Sequence, residues 1–222
     1  MKEKNLELER LVFFSDAIVA IAITLLVFDL KLNHITDGHI TFADLANSWQ
    51  KFVAFILSFF IIAIFWKIHH EFYTHIRQIN STLLWINIGW LMFIVMLPFS
   101  TSLISAHFFD KPAIFTYSLN VLFVTVLQNT IWDYVALRPD FLKENENKDL
   151  IRDFRIACNL AMVNALLACV ISFISPLAAF IILVTRLPLF TFSAKNFRKK
   201  NLIKMLSKRR KERDQNSNSN VS

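Results

Sequence analysis

The sequence predicts an all-α, polytopic membrane protein with six transmembrane helices and both termini on the cytoplasmic side. Three observations predict it. Hydrophobic residues make up 55% of the 222 and charged residues 18%, against roughly 45–50% and about 25% in a soluble domain. The apolar residues gather into six runs, each long enough to approach or exceed the ~20 residues a spanning helix needs. The net charge of +7 is segregated: twenty Lys and Arg fall on the side of the N-terminus and three on the other, the asymmetry that sets orientation in membranes.

The first run, 11–32, reads as a retained span, because the preceding MKEKNLELER is charged and mixed-sign and no small-residue cleavage site follows. Residues 33–48 are a polar loop with a short helix around 42–46. The second run, 49–75, returns to the starting side. The third and fourth occupy 83–104 and 114–137, and a charged connector covers 138–150. The fifth, 151–174, is parted from the sixth, 176–192, by Ser175-Pro176 alone, so the two form a tight hairpin. The chain thus divides into a transmembrane domain, 1–194, and a basic, low-complexity cytoplasmic tail, 195–222. The KRRKER string at 208–213 beside a last span fits anionic lipid headgroups better than nucleic acid.

Whole classes of chemistry drop out. Gly38 and Gly89 are the only glycines, so neither G-x-G-x-x-G nor G-x-x-x-x-G-K-[ST] can be written. Cys158 and Cys169 lie eleven residues apart in one apolar run, about 16 Å on a helix, too far for a disulfide between them. They read as packing residues. His69, His70 and His75 surround Glu71, but adjacent helical residues point about 100° apart, so few of them converge on one ion. HExxH is absent, as is any hydrolase constellation. No enzyme activity, metal or cofactor is implied.

On a helical projection of the first run with Ile21 at zero, Phe14, Ala17, Thr24, Leu25, Phe28 and Leu32 fall within about 60°. This stripe is apolar except for Thr24. Ser15 and Asp16 lie on other sides of the helix. A carboxylate at membrane depth costs several kcal/mol unless paired or solvated, which makes it a functional candidate by default. Trp66 and His70, at i and i+4 on the second run, share a face at the depth of Asp16, and both carry N–H donors. The residues favour a helix-packing clasp over a direct ion ligand, because Asp16 faces away from the stripe. Gln128, Asn129, Asp133, Asn159 and Asn164 read as interhelical hydrogen-bonding residues.

The string from Arg10 to Val27, RLVFFSDAIVAIAITLLV, resembles the first-span signature of the transmembrane protein 175 family, the lysosomal potassium channel and its shorter prokaryotic relatives. Its core is Arg10, three residues, then Phe14-Ser15-Asp16. Phe65-Trp66 followed by His69-His70 is similar to the second-span pattern. The resemblance implies a homotetramer in which four first helices line a potassium-conducting pore without a TVGYG filter. It implies apolar constriction layers at Ile21, Leu25 and Phe28, with Thr24 assisting selectivity. Phe28 departs from the aliphatic residue the pattern favours. A polar clasp of Arg10, Ser15, Asp16, Trp66, His69 and His70 is implied as structural. The expectation is a potassium-preferring channel of the plasma membrane, with potassium as the permeant ion. Its main rival is a proton-coupled secondary transporter using Asp16 and His70; a membrane enzyme comes third.

Overall fold

The computed structural model describes residues 2–31, 39–143 and 148–186. The tail at 195–222 and the end of the sixth run, 187–192, lie outside the described residues, as does Leu32. The described elements are α1 (Lys2–Leu25) with a 3-10 turn (Leu26–Asp29), α2 (Phe42–Asn47), α3 (Trp49–His75), α4 (Ser81–Ala106), α5 (Lys111–Ala136) and α6 (Lys148–Ser172). A shorter apolar helix follows, α7 (Pro176–Arg186). Among the described residues, five helices are long and apolar enough to cross a membrane: α1 with its turn, α3, α4, α5 and α6. Among the described residues the fold is all-helical, with extended pairing limited to an isolated antiparallel bridge, Ile76 to Leu142.

Local chemistry sets the ends. Asn80 caps α4, its Oδ1 accepting from the Leu83 N–H at 2.9 Å. Thr41 and Asp44 form a capping box on α2. The Thr41 hydroxyl, and then its backbone N–H, hold the Asp44 carboxyl below the usual value. That contribution is therefore complete above the ordinary carboxylate range and is lost as pH falls through the depressed value. At the end of α1 the ladder tightens, with Leu30 N–H donating to Val27 O at 3.1 Å. Such i+3 bonds satisfy carbonyls that a helix end leaves free. Phe28 therefore sits on a 3-10 turn and not on the continuous α-helix that the sequence projects.

Helix α1 packs on α3 and α4, α4 on α3 and α5, and α5 on α6. Trp90, Trp132, Tyr117, Phe65 and Phe72 are fully buried at these seams. Trp132 stacks on Phe72 with centroids 4.6 Å apart and meets Phe154 at 4.9 Å. Short α7 returns beside α6. Asn164 Nδ2 donates to Ile182 O at 2.9 Å and to Thr185 Oγ1 at 3.1 Å. Arg186, one of the twenty Lys and Arg that the sequence count puts at the N-terminal side of the membrane, is instead 3% exposed inside the bundle. The reason is length: ten residues beyond Pro176 rise only about 15 Å.

Candidate functional site

The two sides of α1 differ sharply. Leu11, Ser15, Val19, Ala22 and Leu26 face the protein and are at most 4% exposed. On the opposite side Ile21 is 59% exposed, Leu25 38%, Phe28 66% and Phe14 53%. Thr24 is also exposed, and its hydroxyl donates to Ile21 O at 2.8 Å. That bond leaves the Thr24 oxygen lone pairs free to accept or to meet a cation.

The buried side carries a polar network. Asn87 on α4, fully buried, is its centre. Its Nδ2 donates to Ser15 Oγ at 2.9 Å, and Ser15 donates on to Leu11 O at 2.8 Å. Its Oδ1 accepts from the Tyr73 hydroxyl at 3.1 Å and lies 2.7 Å from His69 Nε2. A carbonyl oxygen only accepts, so the proton is on His69 Nε2. The other ring nitrogen, Nδ1, is buried without a partner. The His69 ring stacks on Trp90 at 4.3 Å. Beside this network, Trp66 Nε1 donates to Asp16 Oδ1 at 2.8 Å. His70 packs its ring near Trp66, centroids 5.6 Å apart.

The structure thus joins Asp16 to Trp66 directly, and Ser15 to His69 through Asn87. His70 reaches the cluster by ring contact with Trp66. Arg10 is exposed more than a turn before Asp16. Asn87, Tyr73 and Trp90 are members that sequence reasoning missed; the available signal was the one amide of the third run, whose other polar residues are the hydroxyls of Ser100, Thr101 and Ser102.

A charge-assisted bond between two spans is measurable. Trp66→Phe keeps the ring and removes the donor. We expect a lower thermal midpoint, and a coupling of about 1 kcal/mol between Trp66→Phe and Asp16→Asn in a double-mutant cycle. Additive losses would show that the pair does not act as a unit.

Five apolar helices of spanning length, each exposing large apolar side chains while polar groups turn inward, define a polytopic α-helical membrane protein. The chain belongs to the transmembrane protein 175 (TMEM175) family: the model described as the endosomal/lysosomal potassium channel TMEM175 matches residues 10–98. A potassium channel of Chryseobacterium sp. (strain P1-3) is 31% identical over 141 residues, 64% of this chain and 69% of that protein. The endosomal/lysosomal proton channel TMEM175 of Bos taurus is 27% identical over 147 residues, 62% of this chain and 30% of that protein. In fold, the chain is similar to the crystal structure of a lysosomal potassium-selective channel TMEM175 homolog from Chamaesiphon minutus. The TM-score is 0.73 at 24% identity, covering 86% of this chain and 97% of that one. These named relatives are ion channels and not enzymes.

Proposed function

We propose that the chain is a potassium-preferring cation channel of the cell membrane, a homotetramer in which four copies of α1 surround the pore. The observation that carries this reading is the exposed stripe of Ile21, Thr24, Leu25 and Phe28, set opposite a fully packed face of the same helix. Spanning helices can expose apolar side chains simply to lipid. In this chain the stripe falls on the segment that carries the family signature, and the bacterial relative is named a potassium channel. Ile21, Leu25 and Phe28 form the constriction, and Thr24 supplies oxygen beside it. The contacts of Asp16, Ser15, Trp66 and His69, with His70 and Arg10 at their edge, hold α1 in register and touch no ion. Six spans place both termini in the cytoplasm, with residues 1–194 in the membrane and the basic tail, 195–222, against anionic headgroups.

An apolar constriction gates by dewetting, and any selectivity comes from size and nearby dipoles. Gly38 and Gly89 lie 51 positions apart, so the paired glycines of a TVGYG carbonyl filter cannot be written. We therefore expect a potassium-over-sodium permeability ratio of only about a few-fold, read as a bi-ionic reversal potential in liposomes. Equal permeabilities would overturn the reading.

The name of the Bos taurus relative favours a second reading, proton passage, for which Asp16 and His70 are the titratable candidates. A channel gives near-ohmic potassium current with weak pH coupling. A proton-coupled carrier gives saturable flux and potassium-driven proton movement in the same liposomes.

A further inference from the structure

A second polar seam lies away from the α1 contacts, between α5 and α6. Thr125, Asn129 and Asp133 recur every fourth residue on α5, so they share one face. At the end of the helix, Asp133 Oδ1 accepts from Arg155 Nε at 2.8 Å, with the two side chains 38% and 43% exposed. One turn deeper, Asn129 Nδ2 donates to Asn159 Oδ1 at 3.2 Å. One turn deeper again the seam ends at Arg186, 3% exposed.

The Arg186 guanidinium is held on one edge only. Its Nη1 donates to Thr125 Oγ1 at 3.0 Å, and its carbon lies 4.4 Å from the Phe65 ring centroid. Thr125 donates its own proton to Val121 O at 2.7 Å, so it receives the arginine as an acceptor. Nε and Nη2 are buried with no hydrogen-bond partner. These two nitrogens form the side-on fork, whose parallel N–H groups match the oxygens of a carboxylate or phosphate. Among the described residues no carboxylate takes that place: Asp133 holds Arg155 and Asp16 holds Trp66. A buried guanidinium balanced by one hydroxyl and one ring face lacks its counter-charge.

We propose that the Nε/Nη2 fork of Arg186 binds one two-oxygen anion per protomer, a phosphate or carboxylate group. The group comes either from a lipid headgroup or from solution. Phe65, under the guanidinium, precedes Trp66, so an anion at this fork sits one residue from the α3 contact with the first helix. Its carbonyl also accepts from Gln128 Nε2 at 2.9 Å.

The test uses the full chain purified in phosphate-free chloride buffer. Native mass spectrometry counts phospholipid retained per protomer. Thermal midpoints are then read against inorganic phosphate or acetate at constant potassium and ionic strength. One retained phospholipid per protomer, lost in R186Q, supports the proposal with a headgroup as the source. A saturable rise in midpoint, at least tenfold weaker in R186K and absent in R186Q, supports it with a soluble anion. The exposed-charge control R152Q should behave as wild type. If R186Q fails to fold, R186K decides, because it keeps the charge and removes the fork. Neither retained lipid nor a saturable shift in wild type overturns the proposal. So does an R186K response equal to wild type.

Discussion

Ile21→Ala and Leu25→Ala are each expected to raise potassium current about fivefold and to lower the potassium-over-sodium permeability ratio. Each substitution removes three carbons, and in the proposed fourfold ring the loss is repeated in every subunit. A narrow apolar ring opposes ions because water leaves it, so widening it lowers the barrier steeply. A barrier lower by about 1 kcal/mol corresponds to roughly that fivefold rate. The stripe is exposed within the protomer, Ile21 at 59% and Leu25 at 38%. Truncation there leaves the protomer core intact, so the thermal midpoint should move little while unitary conductance rises. Phe28→Leu, on the 3-10 turn, should act in the same direction, since it replaces a ring by a smaller side chain. Single-channel recording in bilayers is the measurement. Unchanged conductance and selectivity in both alanine variants would remove the stripe from the pore.

Sequence alone placed α3 at 49–75, the span that the structure contains, because its apolar run is bounded by polar loops on both sides. It also separated the stripe of α1 from Ser15 and Asp16, since 3.6-residue periodicity needs only one segment to be read. Three features were not legible for identifiable reasons. The turn at Leu26–Asp29 departs from the α period, so projection carried Phe28 past the end of the regular helix. Arg186 was placed at the rim because positive-charge counting assumes that basic residues lie outside the hydrocarbon. Instead it is buried against Phe65. Asn87 has no periodic signal at all: its partners lie on α1 and α3, 72 and 18 residues away. Long-range polar pairing is written in three dimensions, and a lone amide in an apolar run announces only that some partner exists.

Asn87→Ala is expected to be the most damaging single polar substitution in the described helices. Asn87 is fully buried and serves Ser15, His69 and Tyr73 at once. Interhelical hydrogen bonds in membranes average about 0.6 kcal/mol and reach about 1.7 kcal/mol. Stranding buried donors adds their desolvation cost, so a loss of about 2–4 kcal/mol follows. Ser15 keeps its bond to Leu11 O, whereas the His69 Nε2–H and the Tyr73 hydroxyl lose the acceptor they share. Tyr73→Phe removes one of those donors. It should cost stability in the wild type and nothing further in Asn87→Ala, a non-additivity that isolated packing defects do not produce. Thermal midpoints of the four proteins measure it, and additive losses would dissolve the network into independent contacts. The two classes of variant also separate in recordings. Asn87→Ala loosens the grip of α3 and α4 on the buried side of α1, so it should alter how often the pore conducts. In the proposed pore Ile21→Ala changes the wall that the ion meets, so it should alter how much passes at each opening.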